Sequence, residues 1–203
     1  LFDDLKISQQ SSYQDFINKY NVLYFDTSEF IINALDKDGI VKDINEKICQ
    51  ELHEKFPETV GYNTLFEALS NITSTDKKFI VLIDEWDALF RECSENVALQ
   101  EEYIDFLRSI FKTSRTDSYL AGAYMTGILP IKKYGTHSAL NNFEEFTMID
   151  SEPFSEYIGF TEAEVRDLCL KHQLDFAKMK QCYDGYIFKD IFHIITHNTI
   201  MLE

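Results

Sequence analysis

The sequence predicts an α/β fold: a mainly parallel sheet interleaved with helices, followed by a small helical lobe. Three observations carry this reading. The run FIVLID at residues 79–84 is apolar without alternation and ends in carboxylates, the pattern of a strand buried on both faces of a parallel sheet. Short apolar runs alternate with amphipathic segments over the first 150 or so residues, as strands joined by crossover helices require. After Pro153 the strand-like runs give way to helical patterns.

Each element has its own signal. NVLYFD at residues 21–26 is a short apolar run and reads as a buried strand. Residues 28–35 form a short helix and residues 43–55 a longer one, with Ile44, Ile48 and Leu52 on one face. Thr64 followed by Glu67 resembles a capping box, and Leu65, Leu69 and Ile72 continue an apolar face. Lys77 and Lys78 bound the strand at 79–84. Residues 97–112 are amphipathic, with Tyr103, Phe106, Leu107, Ile110 and Phe111 at helical spacing. Residues 119–125 read as a further strand, closed by Thr126-Gly127, and residues 145–149 as another short one. In the lobe, Thr161 and Glu164 form a second capping box opening a helix with Val165, Leu168 and Cys169 inward. A last helix over 174–183 ends at an Asp184-Gly185 turn.

Composition bounds the function. The chain has 203 residues, enough for one domain or a domain plus a fragment. Seventeen Phe and eleven Tyr against seven Gly and three Pro argue for packed elements and against disorder. The net charge of −16 repels phosphates, so no direct nucleic-acid binding is expected. The acidity is spread along the chain rather than gathered in a stripe, which also argues against an acidic DNA mimic. Cysteines 49, 93, 169 and 182 match no zinc or C-x-x-C spacing and read as thiols in a reducing, cytoplasmic setting. No apolar run approaches the ~18 residues of a membrane span, and no signal peptide is visible. Leu1 is not a methionine, so the numbering is expected to start inside a longer chain or after processing.

The chemistry gathers at FIVLIDEWDALF, residues 79–90. Ligands of open parallel sheets bind beyond the carboxyl ends of the strands. A strand that ends in Asp84 and Glu85 delivers two carboxylates to that rim. Successive strand side chains point to opposite sides, which predicts different roles for the two. One carboxylate can hold hydrated magnesium, and the other can orient and deprotonate water. Thr126, at the end of the next predicted parallel strand, would reach the same rim. Blander readings stand beside these. Acidic residues also follow strands as turn formers or helix N-terminal charges, and Thr126 can be a simple strand-end hydroxyl.

FIVLIDEWDALF, MTGILPIKKYGTHSALNNF (125–143), YIGFTEAEVRDL (157–168) and YDGY (183–186), in this order, resemble the bacterial AAA-ATPase-like family. LFDDLKI with NVLYFDTSEF resembles the stretch that follows the family's P-loop helix. The resemblance implies a three-layer P-loop NTPase-like core over residues 1–152, incomplete at its N-terminus, and a helical lobe fragment over 153–203. It implies that Asp84 and Glu85 are the Walker B pair, Asp84 binding Mg²⁺ and Glu85 polarising the attacking water. Thr126 would take the sensor position that reads the γ-phosphate of ATP. It also implies a PD-(D/E)xK-type nuclease-like domain as a downstream partner. Trp86 stands where the family more often has tyrosine, and Ser138-Ala139-Leu140-Asn141-Asn142 matches a family signature. Tyr183 and Tyr186 read more readily as packing than as ligand contacts.

One family feature is missing. The Walker A loop needs G-x-x-x-x-G-K-[ST], whose glycines let backbone N–H groups curl around phosphate. None of the seven glycines (39, 61, 122, 127, 135, 159 and 185) begins that pattern. In the family the loop lies upstream of LFDDLKI. Magnesium is held by one or two carboxylates plus substrate phosphates, so Asp84 and Glu85 alone should bind it weakly. The expectation is a chain without useful ATPase activity alone, and an intact form that binds and hydrolyses ATP to regulate an attached effector. The alternative is a nucleotide-free protein-interaction scaffold. The resemblance also places the absent first strand between those of Thr126 and residues 145–149, which leaves an open, self-associating edge. His193 and His197 stand four apart without a third ligand, Arg115 reads as a solubilising loop arginine, and no nucleophile elbow is present.

Overall fold

The computed structural model describes residues 2–34, 36–130, 140–147, 154, 157, 159–183, 187–188 and 191–194. The chain divides into two compact units, residues 1–127 with 131–143, and residues 128–130 with 144–203.

In the first unit, β1 (Asn21–Asp26), β2 (Phe79–Asp84) and β3 (Leu120–Met125) form a three-stranded sheet in the order β1-β2-β3. Both pairings are parallel, so the α/β class with a parallel sheet holds. Asp26 lies opposite Asp84, and Ile83 opposite Met125. A register shift at the start of the β2–β3 pair leaves Ala121 as an extra residue in β3.

Among the described residues seven α-helices of this unit connect or flank the strands: α1 (Tyr13–Phe16), α2 (Thr27–Asn33), α3 (Ile40–Lys55), α4 (Leu65–Ser70), α5 (Ala88–Glu92), α6 (Val97–Phe111) and α7 (Thr116–Tyr119). Their starts follow local chemistry. Asp26 ends β1 and caps α2, its Oδ1 accepting from the Ser28 amide at 2.8 Å. Asn96 caps α6 through the Leu99 amide at 3.2 Å. Thr64 caps α4, accepting from the Glu67 amide at 3.3 Å. The expected capping box there is only half formed, because the Glu67 carboxylate accepts from the Thr64 hydroxyl at 2.8 Å instead of from its amide.

The predicted faces of α3 and α6 are the buried ones: Ile44, Ile48 and Leu52 on α3, and Tyr103, Phe106, Leu107, Ile110 and Phe111 on α6. Aromatic rings tie α6 to β1 and to α5. Phe25 meets Phe106 at 6.5 Å between centroids, and Phe90 meets Tyr103 at 6.1 Å. The fully buried Tyr103 hydroxyl is satisfied by the buried Thr27 hydroxyl at 3.1 Å. Burial raises its pKa above the ordinary tyrosine value.

Asn141 and Asn142 close the C-terminal end of α6. Asn142 Nδ2 donates to the Phe111 carbonyl at 3.1 Å, and Lys112 Nζ donates to Asn141 Oδ1 at 2.8 Å. Phe143 packs edge-on against Phe111 at 5.0 Å. This capping is a structural role for the described end of the SALNN signature. Ser138 and Ala139 lie outside the described residues.

Two strand expectations change. β2 is not evenly buried on both faces: Phe79, Val81 and Ile83 are buried, while Ile80, Leu82 and Asp84 are half-buried. The row on that second face includes Val22 (59% exposed), Tyr24 (60%) and Tyr124 (43%). Among the described residues the sheet has three strands, and the unalternated run of β2 is carried by its central position more than by double cover. Residues 145–147 are outside any strand, and 148–149 lie outside the described residues.

In the second unit, α8 (Glu162–His172) opens on a complete capping box: Thr161 Oγ1 accepts from the Glu164 amide at 3.3 Å, and Glu164 Oε2 accepts from the Thr161 amide at 3.0 Å. Val165 and Cys169 are buried against Phe176 and Met179, the latter two on α9 (Phe176–Cys182). Leu168, expected inward, is 41% exposed, while Val165 and Cys169 are the buried residues of α8. This unit also holds short antiparallel pairings: β6 (Ile191–Ile194) pairs with both β4 (Phe160–Thr161) and β5 (Ile187–Phe188). The Asp184-Gly185 turn, Tyr186 and His197 lie outside the described residues, as does the His193 side chain.

Replacing the fully buried Leu107 by Ala should lower unfolding free energy by about 2–5 kcal/mol. The exposed Leu170 replaced by Ala should stay within about 0.5 kcal/mol. Urea unfolding followed by the fluorescence of the single tryptophan, Trp86, measures the first, and far-UV circular dichroism the second.

Candidate functional site

The parallel register brings the carboxyl ends of all three strands to one rim. Asp26 and Asp84 are paired across β1 and β2, and Thr126 follows β3 directly. Two backbone bonds extend the β2–β3 pairing past the strand ends. The Thr126 amide donates to the Ile83 carbonyl at 3.0 Å, and the Trp86 amide donates to the Thr126 carbonyl at 2.9 Å. The Thr126 hydroxyl donates to Asp84 Oδ1, which also accepts from the Glu85 amide at 3.1 Å. The predicted neighbours Asp84 and Thr126 are therefore in direct contact, across 42 residues of sequence.

Glu85 is placed differently from the strand argument. β2 ends at Asp84, so alternation no longer sets the next side chain. Glu85 has φ +50°, the left-handed region that costs a non-glycine residue about 1–2 kcal/mol. Its carbonyl accepts from the Ala88 amide at 2.9 Å, turning the chain into α5. Its carboxylate accepts from Arg91 Nη2, and Arg91 Nε stands 3.3 Å from Asp87 Oδ2. Asp87 is fully buried. The two adjacent acids thus have separate partners, Thr126 for Asp84 and Arg91 for Glu85.

Gly127 keeps this corner closed. A Cβ there would lie 2.6 Å from Asp87 Oδ1 and 2.6 Å from Trp86 Cδ1, closer than side-chain carbons approach. The glycine is required for space. Trp86 is buried and packs on Phe90 at 5.5 Å, so the aromatic at this position is a core residue.

The corner is negative. The half-exposed Tyr24 hydroxyl is raised above its ordinary pKa, by desolvation first and then by the charges of Asp84, Asp26 and Glu29. Asp26 is already committed, since its Oδ1 accepts from both the amide and the hydroxyl of Ser28. Among the described residues no three His, Cys, Asp or Glu side chains come together as a metal site. A single carboxylate such as Asp84 fits a hydrated magnesium ion that takes its other ligands from phosphate oxygens and water.

A family model described as predicted AAA-ATPase matches residues 1–136. The chain belongs to this AAA-ATPase-like family. No curated protein and no solved structure matches it. The matched span of the AAA-ATPase-like chain holds all three predicted site residues, Asp84, Glu85 and Thr126. It also holds residues that the sequence reading passed over. Asp87 and Arg91 carried a signal, an acid and a base four apart at the start of a helix. Gly127 carried none, because a glycine after a strand looks like an ordinary turn. Among the described residues no helix is long and apolar enough to cross a membrane.

Gly127→Ala should cost about 1–3 kcal/mol by overpacking and should alter the emission of Trp86, the chain's single tryptophan. Urea titration with fluorescence detection reads both. Gly39→Ala, where nothing lies within 4 Å of the added carbon, is the control with unchanged emission.

Proposed function

We propose that this AAA-ATPase-like chain carries the metal-holding and water-activating side of an ATP-hydrolysing site. Asp84 is the Mg²⁺ ligand, Glu85 the base, and Thr126 the hydroxyl that reads the terminal phosphate. The observation that supports this most is the contact of Asp84 with Thr126 at the carboxyl rim of two adjacent parallel strands.

Each residue has a part that follows from its surroundings. Asp84 is oriented by two donors and directs its carboxylate charge to the rim. Thr126 is held by backbone bonds on both sides, and its hydroxyl can turn to a phosphate oxygen without moving the chain. Glu85, one residue on, can orient water and accept its proton. Bound magnesium would supply charge neutralisation on the transferring phosphoryl group.

The phosphate grip must come from elsewhere, since the 203 residues contain no G-x-x-x-x-G-K-[ST]. Among the described residues β3 pairs only with β2, and a strand bearing that loop fits beside β3, where it would end at the rim of Asp84 and Thr126. On this reading the chain is a piece of a longer ATPase, inactive alone, whose complete form drives an attached effector. A nuclease-like domain is the effector the family resemblance suggests, and the free thiols of all four cysteines fit a cytoplasmic setting. A nucleotide-free interaction scaffold is the second reading, and it is favoured by the ion pair that occupies the Glu85 carboxylate.

Three measurements test this reading, and the second separates it from the scaffold. The chain alone should show no thermal shift with millimolar Mg²⁺·ATP, whereas a ligand at a hundred times its dissociation constant adds about 2.7 kcal/mol. In a longer protein that carries the phosphate loop, Glu85→Gln should retain nucleotide and lose about 10²–10⁴ in turnover. Absence of nucleotide binding there would favour the scaffold. The open β3 edge, without charge or proline in Leu120–Met125, should make the isolated chain self-associate at micromolar concentration. A monodisperse monomer in sedimentation velocity, melting cooperatively, would refute the open edge.

A further inference from the structure

Arg91 is a charged side chain beside the rim that the proposed reaction leaves without a role. It lies on α5, six residues after Glu85. Its guanidinium joins two carboxylates of unlike setting, Nη2 to Glu85 and Nε to the fully buried Asp87 at 3.3 Å. Asp87 is fixed, as the residue from which α5 starts. Glu85 is the outer partner, with its side chain 35% exposed against 28% for Arg91. The planar fork of arginine suits such a bridge, and the point charge of lysine suits it less.

The ion pair bears on what Glu85 can do. A carboxylate that accepts from a guanidinium has an oxygen occupied and is less open to a cation or a water. The pair also directs the Glu85 carboxylate toward α5, while Asp84 is held by Thr126 on β3. We propose that Arg91 is a positioning residue for Glu85: its guanidinium keeps the Glu85 carboxylate occupied, and Glu85 joins Asp84 at a divalent cation or a water only once that ion pair opens. This rests on the reading of Asp84 as the metal-holding residue. The competing account is that Arg91 serves Asp87 alone, neutralising a buried charge, with Glu85 incidental.

Mn²⁺ is the probe, and electron paramagnetic resonance of the free ion measures its binding to the whole 203-residue chain. Arg91→Ala strands the Asp87 charge and risks misfolding, so the informative variant is D87N/R91Q. It removes one charge of each sign, leaves the local net charge unchanged and keeps two side chains that can hydrogen-bond. Its affinity for Mn²⁺ should rise about tenfold over the wild type, the scale expected when one competing cation leaves a carboxylate. R91K, which keeps the charge but not the fork, should fall between them. Adding E85Q to D87N/R91Q should return the affinity to the wild-type level.

Equal Mn²⁺ binding with and without E85Q in the D87N/R91Q background overturns the role of Arg91, and so does a double variant no tighter than the wild type. The two failures are distinguishable through Asp84. If, in the D87N/R91Q background, D84N abolishes Mn²⁺ binding while E85Q leaves it unchanged, the Arg91 proposal falls and the metal reading survives. If D84N leaves Mn²⁺ binding in the double variant unchanged, the metal reading falls and the proposal with it.

Discussion

The parallel pairing of β2 with β3 is the constraint on which the site depends. Its register sets Ile83 beside Met125, so the next residue of each chain, Asp84 and Thr126, meet at the rim. Backbone bonds on either side of Thr126 carry the pairing past both strands. A slip of one residue would send every side chain of one strand to the opposite face. Slippage is opposed by Phe79, Val81 and Ile83, which are buried beneath the sheet. It is opposed again by Gly127, which admits Trp86 and Asp87 only because it has no side chain.

From that corner a chain of rings leads into the core. Trp86 packs on Phe90, Phe90 on Tyr103, and Tyr103 on Phe106, which in turn meets Phe25 of β1. The turn that carries Glu85 is thus tied to the same packing that holds α6 on the sheet. Rigid support of this kind lets one residue sustain a left-handed backbone outside glycine. It also explains why two adjacent carboxylates can coexist there. One is held by a hydroxyl and an amide, the other by a guanidinium, and their charges are answered from different elements.

Much of this architecture was legible in residue order. β1 and β2 run over the residues their apolar patterns mark, and α3 and α6 bury the faces their spacing marks. The Thr161–Glu164 box formed in full, because its signal is local: two side chains and two amides within one turn. Leu168 was misread as inward because the stripe width on α8 depends on what packs against it. Of the strand read over residues 145–149, the described residues 145–147 are outside any strand, and a short run alone does not choose its conformation.

Local pattern was enough to mark an α/β chain, the strand that ends in Asp84, and the absence of the phosphate-loop motif from these residues, while the AAA-ATPase-like family came from the resemblance of whole motifs. Those features rest on periodicity and on neighbours a few positions apart, which a linear reading contains. The partners of the two acids were settled by folding. Thr126 reaches Asp84 across 42 residues, and Arg91 takes Glu85 because a turn, not a strand, follows Asp84. Hydrogen bonds and ion pairs act over a few ångströms, and only packing decides which distant residues come that close.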